Sequence, residues 1–466
     1  MLIGSRRWFA SLAFLLCVTG LVAQPQTVEK YLGDYAPIKC EGSVPSDILS
    51  ILKGGTSVKL NLTDKADPSK GKEFSTSTEF TLKEIFTSGN IYFNDPFTPY
   101  VRSVADSLLK GLPQKPNVRI YVSRYSNPNA TAWQDGTLIV NVGLLSRLEN
   151  EAQLAFIIGH EIAHYVEQHP YRAFVNRTDV TNEGKHENFK IQTSFSVDQE
   201  MQADNKGIEW LMGAGYSGME AIKAFGLLFD SHVDSFNIIK HLSSDSYQLT
   251  EAQLCMKSQY LAYKSSSYAN PDKILQKNEI TQRLNRLKQR IPQVKFDKTQ
   301  KFKQPESLFN EIVTLAQFEQ VENSFTNSNF LKSIYYSIIL LDRYPTNKYL
   351  RSKVAENLHS ICVYNEKNAF DRIFFDIKQI DDDNYAKICC FFNNAPQATV
   401  KALSYGYVNK LYKDTNLKDP SILITTAKST ELFKGITSAR PIYKEYTEKF
   451  PNGEHVKFAK SKLNEK

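Results

Sequence analysis

Residues 160–164 read His-Glu-Ile-Ala-His. On a helix, residues i and i+4 lie about 40° apart around the axis and about 6 Å apart along it. Both imidazoles therefore project from one face and can bind a single divalent cation. Glu161 stands beside them with a carboxylate free to take a proton from cation-activated water, which is the donor set of a hydrolytic zinc centre. The surrounding stretch, Leu154–Val166, is mostly apolar. Unpaired polar groups in such a segment would be costly, which argues against a surface helix with incidental histidines.

A catalytic zinc site needs a third protein ligand and keeps a fourth position for water. His169 follows nine residues after His160, with no glycine in the intervening turn. Continued around the same helix it would point away from His164, so it is set aside as a ligand. Glu200 and Asp204, in Glu-Met-Gln-Ala-Asp, again share a helical face at i, i+4. One carboxylate could complete the zinc shell, and the other could accept the second N–H of a ligating histidine. A solvated acidic helix face is the plainer alternative for such a pair.

These residues need elements to hold them. Asn150, with Gln153 three positions on, opens a helix whose apolar face carries Ala155, Ile158 and Ile162, and His169-Pro170 ends it. Ser196 opens the helix bearing Glu200 and Asp204, closed by Gly213 and Gly215. Upstream, 97–112 has helical apolar spacing, while 118–123 and 137–142 read as strands. The stretch 63–72 reads as a loop from its Asp, Pro, Ser and Gly content. Beyond Gln304 helical periodicity continues without further metal-ligand spacing. Two segments there, 336–345 and 442–451, end alike in acid, base, aromatic, proline, 106 positions apart. That distance is close to three periods of a ~34-residue helical repeat. The expected organisation is a leader (1–23), an N-terminal region (24–96), a site-bearing domain (97–300) and a helical C-terminal domain (301–466), tetratricopeptide-like or generic. The fold class expected is mainly α with a small β-sheet, followed by an all-α region.

The segment 143–169, followed by Glu-x-x-Ala-Asp at 200–204 and Ala-Gly-Tyr at 214–216, resembles the gluzincin zinc peptidases of the HtpX and CAAX-prenyl-endopeptidase type, peptidase family M48. Asn129-Ala130-Thr131-Ala132, before a strand leading into Gly143-Leu144-Leu145, is similar to the same family. The resemblance implies that His160, His164 and Glu200 bind one Zn2+, that Glu161 is the general base, and that Asp204 supports the ligands. It further implies that the strand at 137–142 is the edge on which an extended polypeptide substrate docks. Relatives carry a His-Pro pair in a later loop, where this chain has Asn270-Pro271, and then an arginine. Arg283, in TQRLNRL, is the nearest match and so a candidate donor to the transition state, with a salt-bridged helix residue as the alternative.

The first 24 residues show two arginines, an apolar stretch from Trp8 to Val22 and a polar exit at Gln24, the pattern of a secretory leader. The mature chain is expected to be exported, to the periplasm or cell envelope or beyond it, with peripheral membrane association as a further option. Cys40, Cys255, Cys362, Cys389 and Cys390 remain, without zinc-knuckle spacing, and Cys389–Cys390 reads as a buried helical pair. With 57 Lys+Arg against 50 Asp+Glu, scattered along the chain, no nucleic-acid partner is expected. No apolar run of ~18 residues follows the leader, which argues against a multispanning membrane protein. Three functions fit these residues: a zinc endopeptidase of the cell envelope acting on extended or misfolded polypeptides; a latent homologue that holds protein clients through its helical C-terminal region; and a zinc hydrolase of non-peptide bonds.

Overall fold

The computed structural model describes residues 35–54, 58, 60, 68–112, 114–180, 195–229, 237–250, 253, 271–294, 299–367, 383–414 and 419–464. The leader, Cys255 and Asn270 lie outside them. Among the described residues two helices come first, α1 (Ser46–Leu52) and α2 (Pro68–Thr87). The loop expected over 63–72 thus gives way at Pro68 to a helix. Proline at the first helical position lacks only an N–H that would have no partner there, so it starts a helix as readily as it breaks one.

After α3 (Phe97–Leu109) come three strands, β1 (Arg119–Ser123), β2 (Ala130–Ala132) and β3 (Thr137–Asn141), in the order β1-β3-β2. β1 pairs parallel to β3, with Arg119 opposite Thr137, and β2 pairs antiparallel, with Ala130 opposite Val140. All five residues of β3 are buried. Leu138 and Val140 face the main core, whereas Ile139 packs with Tyr121 and Trp133 against Ile48, Ile51, Leu82 and Phe86 of α1 and α2. A strand covered on both faces reads as an unbroken apolar run, and that places 137–141 at the centre of the sheet. The edge expected at 137–142 is instead β2. Asn141 N donates to Asn129 O and Trp133 N to Thr137 O, so the backbone groups of Ala130 and Ala132 between them turn outward. Among the described residues no strand pairs with this side of β2. The far side of β1 is covered, since Tyr92 N donates to Val122 O and Arg124 N to Asn90 O.

The chain continues through α4 (Val142–Leu145), α5 (Glu151–Val166), α6 (His169–Val180), α7 (Val197–Gly213), α8 (Met219–Phe229), α9 (Ile238–Leu242) and α10 (Pro271–Arg290). The described residues of the C-terminal region form helices: α11 (Glu306–Thr326), α12 (Phe330–Arg343), α13 (Lys348–Glu366), α14 (Asp383–Asn394), α15 (Gln397–Lys413), α16 (Pro420–Lys434), α17 (Ile436–Lys449) and α18 (Val456–Asn464). The two similar segments end alike in space as well. Tyr344 and Phe450 cap α12 and α17 with φ, ψ of −127°, 62° and −128°, 64°.

One apolar core runs from α3, the sheet and α5 into α11–α15 without a break at residue 300. Two buried carboxylates fasten that seam. Glu319 of α11 accepts from Tyr35 and Tyr92 hydroxyls at 2.5 and 2.6 Å and from Ile38 N at 2.8 Å. Glu151, at the start of α5, accepts from Tyr100, Tyr216 and the amides of Lys303 and Gln304. Cys389 and Cys390 are both buried on α14; Cys389 is free and Cys390 is in a disulfide. Among the described residues no helix is long and apolar enough to cross a membrane.

Candidate metal centre

The centre is built where α5 crosses α7. Asn150 caps α5 by accepting from Gln153 N, and its amide is held by the buried Glu220 at 2.8 Å. At the crossing, Gly159 faces Gly207. A Cβ on Gly207 would stand 3.1 Å from His160 N and 3.3 Å from His160 Cα. Any side chain here would force the two backbones apart, and it is their close approach that lets carboxylates on α7 reach the histidines of α5.

His160 Nε2 and His164 Nε2 lie 3.0 Å apart, and Glu200 Oε2 and Oε1 lie 3.5 and 3.8 Å from them respectively. The three ligand atoms fall within 4.8 Å of one another. Tetrahedral ligands about 2.0–2.1 Å from a zinc ion are about 3.3 Å apart, so the spacing suits one such ion. His160 and Glu200 side chains keep 12% and 14% exposure, leaving the trio open on one side. His160 Nδ1 is 2.9 Å from Asp204 Oδ1, off the line of an ideal N–H···O bond. Arg283 grips Asp204 with Nε and Nη2, both at 2.8 Å, and Glu200 with Nη1 at 2.6 Å, while its guanidinium lies over the Phe225 ring.

The electrostatics follow from these neighbours. Burial alone would raise the Glu200 carboxyl, but His160 and Arg283 hold it at about 2. Burial opposes ionisation of Asp204 too, and Arg283 and His160 outweigh it, so its pKa is lowered. Burial disfavours a charged His160, yet Asp204 and Glu200 lift it to about 10. His164, buried and beside His160, is pushed well below its ordinary value. Two carboxylates against one guanidinium thus draw positive charge to the ligand nitrogens, as a site built for a divalent cation must. Burial raises Glu161 to about 7. Its Oε2 accepts from Ala132 N at 3.0 Å, so the outward edge of β2 touches Glu161 directly.

The structure brings together His160, Glu161, His164, Glu200, Asp204 and Arg283. It also corrects the direction of His169. α5 stops at Val166, Gln168 takes a left-handed φ of 57°, and His169 starts α6 with its ring turned back. Its Nδ1 lies 2.9 Å from His164 Nδ1. Sequence reasoning missed this contact, the Gly159–Gly207 crossing, and Phe195, whose ring stacks on His164 at 4.0 Å. The signal that was present is a glycine at the same crossing point on each of two helices carrying ligands.

Residues 98–182, from α3 through α6, match the model of Peptidase family M48, a similarity confined to that stretch of the chain. No curated protein matches the chain. The matched stretch includes His160, Glu161 and His164 but ends before Glu200, Asp204 and Arg283, which rest on geometry.

Proposed function

We propose that this chain is an M48-type zinc-dependent endopeptidase that hydrolyses peptide bonds in extended or misfolded polypeptides of the cell envelope. The observation that carries the reading is the convergence of His160, His164 and Glu200 with Glu161 alongside them and against the edge of β2. His160, His164 and Glu200 would hold zinc, which supplies a Lewis acid for the scissile carbonyl and a more acidic water. The outward N–H and C=O of Ala130 and the C=O of Ala132 would pair with an extended substrate as an added strand. Alternate substrate side chains would then reach a cavity of about 310 Å³ lined by Tyr125, Asn127, Asn129, Thr131, Trp133 and Asn141. Glu161, with a pKa near neutrality, takes the proton of the attacking water and passes it to the leaving amine. Ala132 N–H holds Glu161 in place meanwhile. Arg283, its donors committed to Asp204 and Glu200, acts in this reading by fixing the carboxylates rather than by touching the substrate.

Export is supported by the leader pattern of residues 1–24. The C-terminal helices, read as a tetratricopeptide-like array on the matched ends of α12 and α17, would present protein clients to the site. The test compares zinc content and casein cleavage of the mature chain with those of Glu161→Gln. Both proteins should hold about one zinc, and the variant should lose about 10²–10⁴ in rate. Zinc bound by both with no cleavage by either would instead favour the latent, client-holding homologue. Absence of zinc from both would overturn the site.

A further inference from the structure

The two histidines of the centre are supported by different chemistry. His160 Nδ1 faces a carboxylate, that of Asp204. His164 Nδ1 faces a second imidazole, His169 Nδ1, at 2.9 Å, and His169 Nε2 lies 3.1 Å from Gln202 Oε1. His164 and His169 are 1% and 0% exposed, so water does not substitute for these contacts.

We propose that Gln202 and His169 form a hydrogen-bond relay that sets the tautomer of His164, making His169 a positioning residue of the metal centre; this rests on the zinc-site reading above. A neutral imidazole has one N–H and one bare nitrogen. Of two Nδ1 atoms 2.9 Å apart, one must donate and the other accept. The carboxamide oxygen of Gln202 can only accept, so His169 carries its hydrogen on Nε2 and leaves Nδ1 bare. That bare nitrogen then takes the hydrogen of His164 Nδ1. His164 Nε2 is left with its lone pair toward His160 and Glu200, the form a metal ligand requires. Both links begin on residues beyond the end of α5, and the left-handed Gln168 turns His169 back to make them. Gln202 lies between Glu200 and Asp204 on α7, so the same helix that offers Glu200 to the site also sets the end of the relay.

Two measurements decide this. Histidine-selective ¹⁵N spectra recorded without metal should show His164 protonated at Nδ1 and His169 at Nε2. His164 carrying its hydrogen on Nε2 would overturn the relay. Zinc affinity, measured by competition with a chromogenic chelator, should fall about 10–100-fold in His169→Phe. His169→Asn, whose Oδ1 can still accept from His164, should stay within about threefold of wild type. Gln202→Glu should preserve affinity, whereas Gln202→Leu should lower it by less than His169→Phe does. Equal losses in His169→Phe and His169→Asn, or no loss in either, would reduce His169 to a packing residue and overturn the proposal. If the chain bound no zinc at all, the functional reading would fall, and the metal-free tautomer spectra would still decide the relay.

Discussion

Two contacts hold this molecule together, and they are made of opposite materials. Where α5 crosses α7, two glycines bring the backbones together, and the partly buried Glu200 and buried Asp204 meet charged or chargeable partners, Arg283 and His160. Where α11 meets the sheet and the N-terminal segment, bulky aromatics fill the space, and Glu319 is met chiefly by two phenols and an amide, with Arg124 at 3.5 Å. The outcomes differ in sign. Site carboxylates are driven to ionise, Glu200 to about 2. Glu319, desolvated by burial more than its partners compensate, is shifted upward. Burial with cationic partners thus preserves charge for a ligand, and burial with neutral donors turns a carboxylate into a structural fastener.

Arg283→Met should break the contrast most severely, because it strands Asp204 and Glu200 in the interior. Urea unfolding should show a loss of about 3–5 kcal/mol. An unchanged midpoint would mean that the guanidinium carries no weight there. Gly207→Ala attacks the same crossing sterically. Its Cβ meets the His160 backbone at 3.1 Å, so we expect about 1–3 kcal/mol of overpacking cost and weaker zinc binding. A stabilised variant with unchanged zinc affinity would show that the helices yield without moving the ligands.

Glu319→Gln tests the seam through pH. The folded state binds this proton more tightly than the unfolded state does, so Glu319's contribution is full below the ordinary glutamate range and is lost as pH rises through the raised folded value. Wild type should exceed the variant by about 1–3 kcal/mol near pH 5, with the gap narrowing toward pH 8. A widening gap would reverse the assignment. Lys206→Ala, which removes a partly exposed partner of Glu167 at 33% and 29% exposure, should cost under about 1 kcal/mol and leave zinc binding unchanged. A loss as large as that of Gly207→Ala would tie the end of α5 to the centre.

The residues that lay legible in the sequence were those whose partners are close along the chain. Asn150 and Ser196 cap their helices through side chains three residues on, and both i, i+4 pairs deliver their polar groups to one face. The sheet was read in part. β-Branched residues marked 137–142 as a strand and the family resemblance made it the edge, but its apolarity belongs to the most buried strand, and the edge is a three-residue segment of small side chains. His169 was misplaced because a helical wheel assumes one axis, and a single left-handed residue ended it. Arg283 was read either as a donor to the transition state or as a salt-bridged helix residue, and its pairing with Asp204, 79 positions away in sequence, left no local signal to choose between them. The seam at Glu319, joined to Tyr35 across 284 positions, left no local trace at all.

Synthesis order gives that seam a consequence in time. Every residue of the centre up to Asp204 is made before α11 exists, and at about 5–20 residues per second the interval is on the order of ten seconds. Until α11 emerges, Tyr92 and Arg124 lack their carboxylate and the face of α4 that α11 covers stands bare. The core closes only when the later helices arrive, so the candidate metal centre takes its finished shape after the C-terminal region has been made. A chain interrupted before Glu319 is therefore an unfinished fold rather than a smaller one.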